Sequence, residues 1–325
     1  MKQANAVRLV GTKDMSREQW LEVRSQGIGS SDAAAAIGLS PYKSPLELWQ
    51  EKTGRVQQPD LSEKEAVFWG STLEPVIANV YQERTGLKVR RVNAVLQHPE
   101  VPFMLANLDR AVGSDGILEI KTAGYHSVSS WEETVPEAYQ CQVLHQLAVT
   151  GKAWADVAVL IAGQDFRIYR IERDDAKIAD LIEQESRFWE FVQRDTPPPP
   201  DGSESSARAL SWMYPRDSGQ AVDFSENADL NQMFHTLLDL KQKRRQLEFM
   251  EETHRQALQS AMGTASSAVF LGGKVSWKTT KDSTSVDTKR LVADHPDLAA
   301  QYTSTTPGQR RFLLQVEKPA STATR

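Results

Sequence analysis

One cysteine, Cys141, stands in 325 residues. That scarcity excludes an intrachain disulfide, a cysteine-based zinc cluster and chemistry that cycles a thiol pair. Within "YQCQV" the cysteine reads as a helix-packing side chain. Long apolar runs are also missing: none approaches the roughly 18 residues that a membrane span requires. The first twenty residues, "MKQANAVRLVGTKDMSREQW", carry charges throughout, so no signal peptide is expected and the chain is assigned to the cytosol. An excess of basic residues is lacking as well. The net charge of −5 argues against a protein that coats nucleic acid nonspecifically. It leaves room for a local basic path, and "RTGLKVRR" (Arg84, Lys88, Arg90, Arg91) reads either as a solvated turn or as a phosphate track. His98, His126 and His145 show no metal-ligand spacing, and no internal repeat is visible.

What is present is a globular composition, 40% hydrophobic and 25% charged, in a chain long enough for one large domain and a smaller one. Residues 1–195 read as an α/β domain. "DMSREQWLEVRSQG" predicts a short capped helix, "SSDAAAAIG" a second with Ser31 as its cap, and "SPLELWQEKTG" a third with Pro45 near its start. "EKEAVFWGSTLEPVIANVYQERTG" predicts a longer helix stopped by Gly86, in which Pro75 marks a first turn or a kink. Strands are expected in "KVRRVNAVLQH", "FMLANLDRAV", "GILEIKTA", "ADVAVLIAG" and "DFRIYRIER", with the helix "VPEAYQCQVLHQLAVTG" between the third and fourth. "DDAKIADLIEQESRFWEFVQRD" closes the domain as an amphipathic helix.

Residues 196–228, beginning "TPPPPDGSESS", read as a linker. Residues 229–325 form an extension. Leu230, Met233, Leu237, Leu240, Leu247 and Met250 fall near heptad spacing, which predicts a long helix or helical hairpin with coiled-coil-like contacts. Its "KQKRRQ" run reads as a solvated face. "AVFLGGKVSWKTT" and "QRRFLLQVEK" are expected as two strands flanking a short helix, "TKRLVADHPDLAAQY".

The stretch "GSDGILEIKTA", Gly113 to Ala123, places an acid and a base two residues apart in an apolar strand. Strand alternation sends Glu119 and Lys121 to one face and Leu118 and Ile120 to the other. An acid-x-lysine triplet is weak alone, since Asp175, Asp239 and Asp287 each begin another. Here Asp109 lies ten residues upstream, and "GSDG" supplies a hairpin turn. With a two-residue loop Arg110 faces Glu119 as a surface pair. With a three-residue loop, Gly113 to Asp115, Asp109 faces Glu119 and two carboxylates meet an ammonium. The spacing leaves both registers open. In the second, hard oxygen ligands would select Mg²⁺, or Mn²⁺ in its place, and suit phosphodiester hydrolysis.

Asp109, Glu119 and Lys121 resemble the Asp-(x)n-Glu-x-Lys core of the PD-(D/E)xK nuclease superfamily. The segment from Trp20 to Pro45, W(x)3R(x)2GIGSSDAAAAIGLSPYKSP, is similar to the opening motif of the lambda exonuclease and YqaJ-type recombination nucleases. The resemblance spans residues 16–195 and favours the three-residue register. It implies a restriction-endonuclease-like α/β core, a central mixed sheet flanked by helices. It also implies a Mg²⁺-dependent exonuclease that degrades linear duplex DNA from 5′-phosphorylated ends and leaves 3′ overhangs for phage-type recombination in a bacterial cytosol.

By the same resemblance Asp109 and Glu119 hold metal with Glu74 and the Ile120 carbonyl, Lys121 and Gln142 position water, and Arg24 with Ser31 binds the 5′-phosphate. Asn107 stands where the lambda-type enzyme has a serine that touches this phosphate. Gln146, on the Gln142 helix face, is read only as a neighbour. The resemblance further implies a homotrimeric ring and a single-strand annealing protein as partner, while the single cysteine excludes the iron–sulfur variant. Rival readings are an endonuclease or single-strand nuclease of the same core, and an idle DNA-binding scaffold.

Overall fold

The apolar run at Gly116–Ala123 is buried over its first five residues, and it becomes the centre of a sheet covered on both faces. The computed structural model describes residues 6–57 and 64–315. In chain order its first elements are β1 (Val7–Gly11), α1 (Arg17–Ser25), β2 (Ile28–Gly29), α2 (Ala33–Ala36), α3 (Pro45–Lys52) and α4 (Glu65–Thr85). There follow β3 (Val89–Arg90), β4 (Ala94–Gln97), β5 (Met104–Ala106), β6 (Arg110–Val112), β7 (Gly116–Ala123) and α5 (Glu137–Thr150). Then come β8 (Trp154–Ile161), β9 (Asp165–Glu172), α6 (Asp175–Gln193) and α7 (Glu204–Met213). Two compact units divide between Met213 and Tyr214.

The main sheet has the order β3-β6-β7-β8-β9. β7 pairs antiparallel with β6 and parallel with β8, so the sheet is mixed, as expected. Strand parity divides its faces. Leu118 and Ile120 pack with Ile77, Ala78 and Tyr81 of α4. Ile117, Val157 and Val159 pack with Val143 and Leu147 of α5. A buried acid also pins α4 to the sheet: Asp156 accepts from the Tyr81 hydroxyl at 2.6 Å and from Arg170 Nε at 2.7 Å. A second sheet, β1-β4-β5-β2, carries the amino-terminal motif, with β2 parallel to β5.

Several expectations are corrected. "FMLANLDRAV" is two strands, because the chain leaves β5 in the second sheet and enters β6 in the first, and the break falls at Asn107–Asp109. "KVRRVNAVLQH" divides likewise into β3 and β4. Ser31 caps no helix: a 3₁₀ turn at Ser30–Asp32 precedes α2, and its N-cap Gly29 makes no side-chain bond. The helix expected from Glu63 begins at Glu65, Glu63 itself lying outside the described residues, and continues through Pro75.

The linker is shorter than its composition suggests. α7 docks on α3 through Gln50 Nε2, which donates to the Ala209 carbonyl at 2.8 Å, and through Ser205 Oγ, which accepts from the Ser44 amide at 2.7 Å. Residues 204–213 therefore belong to the first unit.

In the second unit, α8 (Ala228–Met262) is a single helix with no buried residue, capped by Asn227 and laced by the Arg244–Glu248 and Arg255–Glu251 pairs. "AVFLGGKVSWKTT" is a hairpin of β10 (Ser267–Phe270) and β11 (Gly273–Ser276), because Gly272 takes a φ of +90° at the turn. Pro296 divides the next helix into α9 (Thr288–Asp294) and α10 (Pro296–Gln301). Residues 309–315 of the last expected strand form none, and 316–318 lie outside the described residues. Among the described residues no helix is long and apolar enough to cross a membrane.

Gly116 begins β7 opposite Trp154, and a Cβ there would lie 2.4 Å from the indole ring, which Arg170 covers from above at 3.8 Å. Overpacking of this kind costs about 1–3 kcal/mol. Gly116→Ala is expected to lower the urea midpoint accordingly, and an unchanged midpoint would show that Trp154 gives way.

Candidate active site

The β6–β7 hairpin pairs Val112 with Gly116 and Arg110 with Leu118, leaving a three-residue loop, Gly113 to Asp115. Gly113 has a φ of +51°, which glycine adopts without strain. This register carries Asp109 to the end of β7, where its Oδ2 accepts from the Ile120 amide at 2.8 Å. Register and side-chain parity together place the Asp109 and Glu119 carboxyl groups in one site.

Glu119 is 3% exposed, so its charge must be met inside the protein. Lys121 Nζ lies 2.7 Å from Glu119 Oε1. Gln142 Nε2 donates to that oxygen at 2.6 Å, and Gln146 Nε2, one helical turn on, donates to Oε2 at 2.7 Å. Lys121 also donates to Gln142 Oε1 at 2.9 Å and sits 4.8 Å from the centre of the Tyr139 ring. Burial works against the Lys121 charge, but Glu119, Asp109 and Tyr139 outweigh it, and the net shift of its pKa is upward. Asp109 is the strained member. Burial, then the Glu119 charge, push its carboxyl up to about 8 against the pull of the Ile120 amide.

Glu74 borders this cluster, its charge adding to the upward push on Asp109, but its own partner is Arg110. Its Oε1 is engaged by Arg110 Nη1 at 2.5 Å, and Arg110 also donates to the Asp109 carbonyl at 2.6 Å. Among the described residues no three acidic, histidine or cysteine side chains form a metal cage. Mg²⁺ needs none: it is commonly held by one or two carboxylates plus waters and substrate phosphates. The residues present fit such a cation. Asp109 and Glu119 supply hard oxygens whose mutual repulsion a cation would relieve, and Gln146 Oε1 is buried without a partner, an acceptor for a metal-bound water.

The amino-terminal motif builds a second cluster. Arg24, under Trp20 at 4.6 Å, donates through Nη2 to Ser31 Oγ at 2.9 Å and to Asp32 Oδ2 at 2.5 Å. Lys52 Nζ reaches the same Asp32 oxygen at 2.9 Å. Burial raises the Asp32 pKa, but Arg24, Lys52 and Lys43 overcome it and hold the carboxyl far below the usual range. Arg24 and Lys52 against Asp32 leave one positive charge in excess, and Arg24 Nε is buried without a partner. Gly29 allows the close approach: a Cβ there would sit 3.1 Å from Arg24 Nη2.

A cleft of about 470 Å³ is lined by Ser31 from the second cluster and by Tyr139 and Gln142 from the first, together with Thr122 and Ala123, which follow Lys121 on β7. Asn107 follows β5 as Ser31 follows its parallel partner β2, but Asn107 Nδ2 donates to the Ala94 carbonyl at 3.4 Å, away from the Arg24–Ser31 pair.

Asp109, Glu119, Lys121 and Gln142 are thus brought together, Arg24 and Ser31 form a second group, and Glu74 and Asn107 have other partners. Gln146 (read only as a neighbour), Asp32, Lys52 and Arg110 (read only as a surface partner of Glu119 in one register) were not foreseen in these roles. The i, i+4 spacing of Gln142 and Gln146 was a usable signal for the first; nothing local marks the other three. Cys141 and His145 are structural. Burial pushes the Cys141 thiol up to about 12, and His145 is fixed between Glu185 at 2.8 Å and the Leu105 carbonyl at 3.0 Å.

Comparison with known proteins places this site in a family. Residues 19–153 match the YqaJ-like viral recombinase domain. The uncharacterized protein YqaJ of Bacillus subtilis (strain 168) is 35% identical over 314 residues, 95% of this chain and 97% of that protein. The alkaline exonuclease LHK-Exo of Laribacter hongkongensis aligns in structure over 55% of this chain and 93% of its own, at 24% identity and a TM-score of 0.45. A phage related exonuclease from Haemophilus somnus 129PT aligns over 60% and 100%, at 13% identity and a TM-score of 0.38. With the relative matched along nearly all of both chains, and the domain match spanning every residue of both clusters, the chain belongs to the YqaJ-like viral recombinase family.

Proposed function

We propose that the protein is a Mg²⁺-dependent DNA exonuclease that digests linear duplex from 5′-phosphorylated ends, leaving 3′ overhangs for single-strand annealing. The observation that carries the reading is the half-buried Asp109 and buried Glu119 beside Lys121 and Gln142, with an anion pocket at Arg24 and Ser31 near by. Asp109 and Glu119 would hold the cation, with the Ile120 carbonyl beside them. Glu74, one oxygen of which is held by Arg110, would assist. The bound cation would supply charge to the phosphoryl oxygens and lower the pKa of an attacking water.

The protein's own groups do the rest. Lys121 remains an ammonium, so its role is to orient water and offset negative charge on the phosphorane-like transition state rather than to remove a proton. Gln142 bridges Lys121 and Glu119, and Gln146 fixes the other Glu119 oxygen. Arg24, its Nε unpartnered, and the Ser31 hydroxyl would receive the terminal phosphate. A homotrimeric ring would explain how an acidic chain retains DNA, by enclosing it, and an annealing protein would take the overhang.

Linear duplex carrying a 5′-phosphate should be degraded in Mg²⁺, faster than duplex carrying a 5′-hydroxyl, and not in chelator. Loss of one charge-stabilising donor typically costs 10²–10³ in rate, so Lys121→Ala should fall by about that factor. Arg24→Gln should remove the preference for the phosphate. Cutting of covalently closed circles at the same rate would replace this reading with an endonuclease, and binding without cutting would replace it with a scaffold.

The Asp109 shift has a consequence for stability. Its ordinary value is 3.8 and its folded value about 8, so between them the folded state keeps a proton that the unfolded state has lost. Stability of the cation-free protein should therefore fall as pH rises from about 4 to about 8. Urea midpoints at pH 5 and pH 8 in chelator test this. Asp109→Asn should flatten the dependence, and Mg²⁺ should raise the wild-type midpoint more at pH 8 than at pH 5. Equal slopes in wild type and variant would refute the protonation of Asp109.

A further inference from the structure

A second concentration of positive charge lies outside the two clusters already described. Arg8 on β1, Arg90 on β3, Arg91 just after it and Lys152 beyond the end of α5 wall a cleft of about 330 Å³. No acidic side chain lines it. It shares no lining residue with the cleft at Ser31 and Gln142.

Two of the cations are anchored on backbone: Arg8 Nη2 donates to the Asn93 carbonyl at 3.2 Å, and Lys152 Nζ donates to the Ser114 carbonyl. These bonds fix position and neutralise nothing. Arg90 and Arg91 are exposed, and neither enters an ion pair among the described residues, in a chain whose net charge is −5. Most other arginines of the first unit are paired: Arg24 with Asp32, Arg110 with Glu74, Arg167 with Asp165 and Arg170 with Asp156. Four cations drawn to one concavity from three separate stretches of chain repel one another unless an anion sits between them.

The place of the cleft points to its ligand. Leu108 and Ala111 on its floor bracket Asp109 and Arg110, and Arg90 pairs in register with Ala111, so the cleft is built on the strand that leads into the acidic site. A planar guanidinium recognises phosphate oxygens bidentately, and a row of such groups follows a repeating phosphate. We propose that this cleft is a second DNA contact, taking backbone phosphates away from the strand end held at Arg24. The proposal rests on the reading of the protein as a DNA nuclease. The backbone is that of the intact duplex or of the single strand left by digestion, and the two make different predictions.

The test is the salt dependence of binding, measured by anisotropy of a labelled duplex and of the matching single strand, in chelator so that nothing is cut. Each phosphate neutralised contributes a slope of about 0.9 on duplex and about 0.7 on single strand in log K against log salt. For Arg90→Gln/Arg91→Gln the slope should therefore become shallower by about 1.8 on duplex, or by about 1.4 on single strand. The probe that shows the loss identifies the strand bound.

Arg187→Gln/Arg194→Gln, which removes the same charge from exposed positions on α6 and at its C-terminal cap, should leave both slopes unchanged. If the first double variant does not fold, Arg91→Gln alone should show half the loss. Equal slopes for wild type and the Arg90/Arg91 variant on both probes, or an equal loss in the α6 control, overturns the proposal. Digestion by the wild type in Mg²⁺ is scored separately. Cutting with unchanged slopes overturns the cleft alone, and a lost slope without cutting overturns the nuclease reading while supporting the cleft as a DNA contact.

Discussion

The Glu119 carboxylate, buried at 3% exposure and met by Lys121, Gln142 and Gln146, is the constraint on which the first unit depends. An unpaired charge so deep in protein costs several kcal/mol, and the cost is avoided only when its oxygens are met by well-placed donors. Those donors come from two elements. Lys121 shares the strand and its parity, and the two glutamines occupy successive turns of α5. The helix must therefore cross the sheet at one height and one rotation, and Val143 and Leu147 between and beyond the glutamines then fall into the apolar layer with Ile117 and Val157. Packing and polar satisfaction specify the same pose, which is the consistency expected of a sequence that encodes one structure.

The two clusters solve opposite electrostatic problems with similar parts. Around Asp32 two cations outnumber one acid and the carboxylate stays ionised. Around Asp109 the acids outnumber the ammonium, and one of them is driven towards its protonated form. The first arrangement is short of an anion and the second of a cation. On the proposed reading a phosphodiester with its metal would supply both, and Ser31 and Gln142 line one cleft. Arg110 belongs to the same balance. By holding Glu74 at 2.5 Å it keeps a third carboxylate from adding its full charge to the pair.

Elements whose signals are local were legible in the sequence. Ser16, Ser44 and Pro45 begin helices where their chemistry predicts, and Gly86 and Gly151 end them in the left-handed conformation. The failures share a cause. Ser31 has the composition of a cap, yet its hydroxyl is drawn to Arg24, a partner seven residues away on another element. "FMLANLDRAV" has the alternation of one strand, yet its halves belong to different sheets, because pairing partners and not propensity assign a strand to a sheet. "TPPPPDGSESS" has the composition of a linker, yet Ser205 within it and Ala209 just after it are buried and bonded to Ser44 and Gln50 at α3, whose surface no local pattern reveals.

The sequence by itself determined that Glu119 and Lys121 share a face, that Leu118 and Ile120 take the other, and that Gln142 and Gln146 stack on one side of a helix. Backbone geometry fixes relations of this kind within four residues, whatever surrounds them. Only the tertiary structure decided between the two hairpin registers, assigned Arg110 to Glu74, gathered Asp32 and Lys52 around Arg24, and brought Arg8, Arg90, Arg91 and Lys152 to one cleft. These are juxtapositions of side chains carried on separate elements. They depend on how whole elements pack, and a periodic pattern carries no information about the partner that packing will bring.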